Sequence, residues 1–150
     1  MNDNTFALSH RFAVFFFAAG TVPNPLDMRF QKVSGLSAEI NTTTTTEGGQ
    51  NLYTQKTPSG ISYNNLILER GIVIGSPLYD EFDTAFSFFR FAPSNVIITL
   101  LNETSLPLAS WLFMKAYPVK WSLTDLDANA NAAAIETLEL AYTRFQPVRL

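Results

Sequence analysis

Few side chains in this sequence are of types that do chemistry. His10 is the single histidine and cysteine is absent, which excludes thiolate metal sites, cysteine nucleophiles and multi-histidine metal centres within one chain. A serine nucleophile needs a base beside it. His10 sits between Ser9 and Arg11, forms no such constellation, and reads as a surface or strand-end residue. Paired carboxylates could serve as acid and base on a glycosidic bond. The densest group, Asp80, Glu81 and Asp83, falls in the first turns of a predicted helix, where the positive end of the helix dipole accounts for it. Asp125 and Asp127 read as turn formers in a loop and lack the acidic spacing of a calcium site. Gly48-Gly49 is followed by no Gly-Lys-Ser/Thr and no helix start, so it cradles no phosphate. Asn41-Thr42-Thr43 and Asn102-Glu103-Thr104 match the glycosylation pattern, which carries weight only in a secreted chain. No catalytic, cofactor-binding or metal-binding residue is assigned. A small β-barrel hydrolase working through these carboxylates stands as the enzymatic alternative.

Composition limits the elements that position these groups. The chain has 150 residues, one domain's length, and 47% are hydrophobic, including 13 phenylalanines. Charged residues make up only 15%, against roughly 25% in an ordinary soluble domain. That shortage predicts a subunit whose surface is partly covered in an assembly. With 10 Lys and Arg against 13 Asp and Glu, there is no basic surplus to grip nucleic acid. No apolar run approaches the ~20 residues that span a bilayer, so no membrane anchor is expected. His10 and Arg11 before the apolar run Phe12 to Ala19 outline a signal peptide. Asp3 and the absence of leucine from the run oppose that reading. Phe15-Phe16-Phe17 suit a strand buried on both faces.

Strand-like segments separated by turn signals fill most of the chain. Met28 to Val33 alternates at period two, as do Leu36, Ala38 and Ile40 within Leu36 to Asn41, the mark of half-buried strands. Five threonines follow, Thr42 to Thr46, favouring extended backbone while burying nothing large. Glu47-Gly48-Gly49-Gln50, Asn51 to Thr57 and a tight turn at Pro58-Ser59-Gly60 complete a long polar hairpin arm over 42–63. Asn65 to Ile74 is the return strand, with Leu66 and Leu68 on one side. Ser76 as N-cap, Pro77 and the acidic first turn predict a helix over 76–90, with Leu78, Phe82, Ala85, Phe86 and Phe89 on its apolar face. Asn95 to Asn102 is a strand, Ser110 to Trp121 supplies one or two around Pro118, and Ile135 to Gln146 is another after a loop over 125–133. Trp111 and Trp121 read as core or interface anchors. The expected fold is one mainly β domain, residues 1–150: an antiparallel barrel or sandwich with one flanking helix and an extended arm.

An ordered set of segments then becomes informative. Phe30-Gln31-Lys32-Val33-Ser34-Gly35-Leu36, Glu47-Gly48-Gly49-Gln50-Asn51, Pro58-Ser59-Gly60, Leu66-Ile67-Leu68-Glu69-Arg70-Gly71, Leu78-Tyr79, Ala116-Tyr117-Pro118-Val119-Lys120-Trp121 and Glu136-Thr137-Leu138-Glu139-Leu140 follow one another. Together they resemble the tail-tube family of contractile phages and phage-like extracellular contractile injection systems, related to the haemolysin-coregulated protein of type VI secretion. The resemblance runs from about Phe12 to Phe145.

It implies a non-enzymatic, cofactor-free β-barrel subunit that closes hexameric rings with itself and stacks on adjacent tube rings inside a sheath. Spike and baseplate hub proteins are the implied partners at one end, and effector cargo or a tape measure is the implied occupant of the lumen. Assembly would occur in the bacterial cytoplasm, before release as an extracellular particle or phage virion. The arm residues Thr43, Thr44, Thr45, Thr46, Glu47, Gly48, Gly49, Gln50 and Tyr53 are expected to contact neighbouring subunits. Arg70 is expected to donate an inter-subunit ion pair. Lys56-Thr57-Pro58-Ser59-Gly60 and the Ala116 to Trp121 segment resemble the tube-initiator type, which joins spike and hub to the tube. The main tube protein, stacking in many rings, and a cargo-holding soluble ring are the other roles left open.

Overall fold

The computed structural model describes residues 11–17, 29–46, 48–49, 52–72, 75–102, 104–124, 128–129 and 134–148. Its order is β1 (Arg11–Phe17), β2 (Arg29–Phe30), β3 (Lys32–Ser34), β4 (Ala38–Thr45), β5 (Gln55–Tyr63), β6 (Leu66–Gly71), α1 (Pro77–Phe88), β7 (Ser94–Leu101), β8 (Pro107–Leu123), β9 (Ile135–Ala141) and β10 (Arg144–Val148). One antiparallel path runs β2-β1-β7-β8-β9-β6-β3. Only Gln31 separates its first strand from its last, and the Gln31 amide donates to the Glu69 carbonyl at 2.8 Å. The two ends of the path are therefore one bent stretch of chain, and the sheet closes into a barrel. Closure removes most of the edges that an open sheet would leave.

β8 is the corner strand. It pairs with β7 through Pro107–Ala116 and with β9 through Tyr117–Leu123, while β10 lies beside Ser110–Met114. Two irregularities let it turn between the sheets. Lys115 adopts φ 53, with its amide donating to Asn95 Oδ1. Val119 is left over where Pro118 pairs with Leu140 and Lys120 with Glu139. A bulge of this kind bends a strand, and it tolerates a proline that cannot donate.

The phenylalanine run is a strand, as expected, and β1 pairs with β2 on one side and β7 on the other, but it is not buried on both faces: Phe15 and Phe16 are half-buried and Phe17 is exposed. Val14, Leu66, Leu68, Ile98, Phe113 and Leu138 meet in the core. Several boundaries differ from the pattern reading. Met28 to Val33 is not one strand, because the chain bends at Gln31 between two partners; Met28 itself lies outside the described residues. Ile135 to Gln146 is two strands, broken at Tyr142-Thr143 so that β10 can follow β8 past Lys115. The 125–133 loop falls outside the described residues except for a turn at Ala128-Asn129.

Helix α1 starts as predicted. Ser76 caps it, its Oγ accepting from the Leu78 amide at 3.3 Å, and Leu78, Phe82 and Ala85 are buried. The predicted apolar face fails at its far end. Phe86 is exposed, and Phe89 is the C-cap at φ 51, ψ 43 rather than a helical residue.

A buried ion pair joins these parts. Arg70 of β6 and Glu136 of β9 are register partners, exposed by 2% and 0%, and Arg70 Nε donates to Glu136 Oε1. Arg70 Nη2 also donates to the capping Ser76 Oγ at 3.0 Å. Glu136 Oε2 accepts from Tyr79 Oη of α1 at 2.8 Å and from Trp121 Nε1 of β8 at 3.1 Å. The guanidinium lies 4.8 Å from the Phe30 ring of β2 and 5.8 Å from the Tyr79 ring. Removing one partner of such a pair leaves an uncompensated buried charge. Arg70→Met should therefore lower stability by about 3–5 kcal/mol, while Arg70→Met with Glu136→Leu should recover much of that loss. Chemical denaturation of the two variants checks this.

Candidate assembly interface

The arm leaves the barrel as a two-stranded sheet of its own. β4 and β5 pair only with each other, so each leaves its outer edge without a strand partner among the described residues. Strands of eight and nine residues reach roughly 27–30 Å at the usual rise per residue. The hairpin is longer than expected at its base, since β4 begins at Ala38. Ile40 accordingly does not join the barrel: it stands 63% exposed opposite Ile61 at 60%.

Pro58-Ser59-Gly60 is not a turn. Asn41 pairs with Gly60 and Thr42 with Pro58, which leaves Ser59 as the extra residue of a bulge inside β5. A proline at a bulge on an outer strand forfeits little pairing. The chain reverses instead beyond Thr45, where Gly48 and Gly49 form a turn and Gly49 takes φ 98.

Strand alternation gives the arm two unlike faces. Ile40, Thr42 and Thr44 lie with Ile61, Pro58 and Lys56; Glu39, Asn41, Thr43 and Thr45 lie with Ser62, Gly60, Thr57 and Gln55. The first face is rich in methyl groups and ring carbons, and the second is polar. Of the expected contact residues, Thr43, Thr44, Thr45, Thr46, Gly48, Gly49 and Tyr53 are all exposed on the arm, with Leu52 beside Tyr53. Glu47 and Gln50 lie outside the described residues.

The root of the arm is fixed twice. Gly35, at φ 86, runs so close to the Asn65 carbonyl that any Cβ would collide with it. Asn64 Nδ2 donates to Ser37 Oγ at 2.6 Å, and Asn65 Nδ2 donates to Glu139 Oε1 at 3.1 Å. Beside these contacts, Tyr63 at the end of β5 packs against Tyr142 and Phe145 with ring centroids 5.8 and 5.4 Å away. Phe113 of the core meets both at 4.9 and 5.2 Å. This aromatic cluster couples the arm to the barrel through rigid rings.

Arg70 is corrected. Its guanidinium is enclosed by its own chain against Glu136 and Ser76, so it does not stand at the surface as a donor to another subunit. Nor is a catalytic carboxylate dyad assembled by Asp80 and Asp83 among the described residues. Asp80 and Asp83 are exposed along α1, and Ser87 Oγ donates to Asp83 Oδ1. Asp125, Asp127 and His10 lie outside the described residues. No group of three His, Cys, Asp or Glu able to hold a metal occurs among the described residues. Pattern reading overlooked Glu136 and the Tyr63–Tyr142–Phe145 cluster. Alternation carried the signal for the first: Glu136 shares the inward phase of Leu138 and Leu140, as Arg70 shares that of Leu66 and Leu68.

The model of the T4-like virus tail tube protein gp19 family matches residues 8–146. The chain belongs to this tail tube family. A chain of the anti-feeding prophage (AFP) baseplate, solved by cryo-EM with 6-fold symmetrisation, is 40% identical. That match covers 99% of this chain and 97% of that one, with a TM-score of 0.84. A chain of the AFP tube-terminating cap is 25% identical over 93% of this chain and 89% of that one, at a TM-score of 0.74. Hcp1 from Salmonella typhimurium, 17% identical over 93% of this chain and 86% of that one, shares the fold at a TM-score of 0.52. No curated protein sequence matches the chain. Tail tube proteins are structural, not enzymes, which disposes of the carboxylate hydrolase.

One group at the arm root titrates abnormally. Burial, reinforced by the nearby Tyr63 phenol, pushes the Tyr142 hydroxyl up to about 12, and that hydroxyl has no hydrogen-bond partner among the described residues. In the unfolded chain a tyrosine ionises near pH 10. Between about pH 10 and 12 the folded state thus holds a proton that the unfolded state has lost. Stability should be whole below that window and fall as pH rises through it. An ultraviolet phenolate titration should show a late phase, and Tyr142→Phe should diminish it without destabilising the fold at neutral pH.

Proposed function

We propose that this tail tube protein forms the initiator ring of a contractile injection system, a homohexamer joining spike and baseplate hub to the tube. The observation that carries this reading is the 40% identity, over 99% of the chain, to a chain of the AFP baseplate. The chain of the PVC sheath–tube complex in its extended state stands at 24%. An initiator must offer unlike faces to unlike partners, and an arm with Ile40, Ile61 and Pro58 on one face, and polar residues with Gly60 on the other, suits that demand. Assembly takes place in the bacterial cytoplasm, and the particle then acts outside the cell that made it. Neighbouring rings, the hub and the surrounding sheath are its partners, and effector cargo or a tape measure passes through its lumen.

Mechanically the subunit transmits force and does no chemistry. Sheath contraction drives the tube, and a closed barrel locked by a buried ion pair deforms little under that load. The arm extends each subunit's grip to its neighbours through Thr43 to Gln55.

Three measurements test this. The purified chain should form rings roughly 80–100 Å across by electron microscopy, from six domains of this size around a lumen. Deleting residues 43–55 should leave a folded barrel, by circular dichroism, that no longer forms or stacks rings. In a third experiment, rings are mixed with baseplate hub protein. An initiator should cap the hub with one or two rings, whereas long self-stacked tubes without hub would identify a main tube protein.

A further inference from the structure

The arm and the seam strand β3 belong to one ladder. β3 pairs with β6 as far as Ser34↔Ile67, and β4 pairs with β5 from Ala38↔Tyr63 onward. Three residues separate the two stretches on each side, 35–37 and 64–66. No residue is inserted, so one register holds from Lys32↔Glu69 to Asn41↔Gly60 and only the pairing is interrupted. That differs from a bulge, where one strand carries an extra residue.

A backbone kink makes the interruption. Gly35 takes φ 86, and the Ser37 amide donates back to the Gly35 carbonyl at 2.9 Å, closing a three-residue turn. The kink carries Leu36 across the ribbon. Val33 packs on the core opposite Leu68, and strict alternation would put Leu36 on the other side, in the phase of Ile40. Leu36 packs against the core instead. Two side-chain bonds hold the kink, Asn64 Nδ2 to Ser37 Oγ and Asn65 Nδ2 to Glu139 Oε1.

Two arrangements are thus open to the same residues. The kinked one gains the burial of Leu36 and the two side-chain bonds. The straight one gives these up and gains the backbone bonds of three more cross-strand pairs. We infer that the arm root is a two-position hinge, kinked at Gly35 in this structure and straight when the β3–β6 ladder runs on into β4–β5. Each position is stiff, because packed elements exchange between discrete arrangements rather than deforming smoothly. The hinge changes the direction in which an unchanged barrel presents its arm, and it works within one chain, whether or not rings form.

The test follows the arm in the full chain. Because cysteine is absent, Thr44→Cys on the arm and Ser87→Cys on α1, both exposed positions, can carry spin labels, with labelled chain diluted into unlabelled. A turn of about 20° at the root moves the end of a ribbon this long by roughly 10 Å, a shift that pulsed electron paramagnetic resonance resolves. Gly35→Ala forces the choice, since its Cβ collides with the Asn65 carbonyl in the kinked position and has a strand's ordinary room in the straight one. The expected result is a folded chain, by circular dichroism, with a second label separation about 10 Å from the first. Leu36→Thr, which removes the group the kink buries and keeps Gly35, should populate the same second separation. A folded Gly35→Ala chain at the original separation overturns the hinge, because the collision is then absorbed in place. A broadened distribution without a second separation marks a loose joint and overturns it too. If Gly35→Ala fails to fold, Leu36→Thr decides alone: the second separation supports the hinge, and the original one shows that the kink is the root's only arrangement.

Discussion

A guanidinium and a carboxylate removed from water are tolerable only together, and only if their remaining hydrogen-bonding capacity is met. Arg70 and Glu136 satisfy that demand by drawing in every layer of the fold. The pair itself spans β6 and β9, Ser76 and Tyr79 bring the start of α1, Trp121 brings the far half of β8, and Phe30 brings the seam strand. Hydrophobic packing alone would let α1 slide along the barrel, because Leu78 and Phe82 press on it without direction. The ion pair supplies the direction. It fixes where the helix begins, and hence where its aromatic end stands.

The same economy of charge explains the surface. A chain with only 15% charged residues that places an arginine and a glutamate in its interior has few left to keep neighbours apart. What it exposes instead is a ribbon with an aliphatic side and a helix end crowded with rings. Both are anchored at the base, the ribbon by the Tyr63–Tyr142–Phe145 cluster and the tight passage of Gly35 over Asn65. Such anchoring stiffens the ribbon at its base. A flexible arm would absorb displacement that a stiff one passes on.

Much of this was legible in the sequence because it depends on local periodicity. The β-rich barrel, the capped helix at Ser76 and an arm in the right place all follow from alternation, capping chemistry and turn residues. The misreadings fall where two local rules conflict. Pro58-Ser59-Gly60 has turn composition, but the same residues serve a bulge when the strand continues on both sides. Phe89 continues the helical apolar stripe by spacing, yet the helix ends one residue earlier. Ile40 alternates like a core residue, but the segment after Gly35 has already left the barrel. Arg70 marked the right position with the wrong partner. Its neighbours Leu66 and Leu68 show it facing inward, whereas Glu136 lies 66 residues away and nothing local links the two.

The seam at Gln31 has a consequence in time. β1 pairs with β7 roughly eighty to ninety residues further on, and β6 waits for β9. Contacts so distant in sequence form slowly, after the entropy of closing long loops has been overcome. The barrel therefore cannot shut until β9 has left the ribosome, and its phenylalanine-rich strand β1 must wait for β7 along one edge. The arm's two strands, joined by a short reversal, need no such delay. The ribbon is thus able to form before the body that carries it.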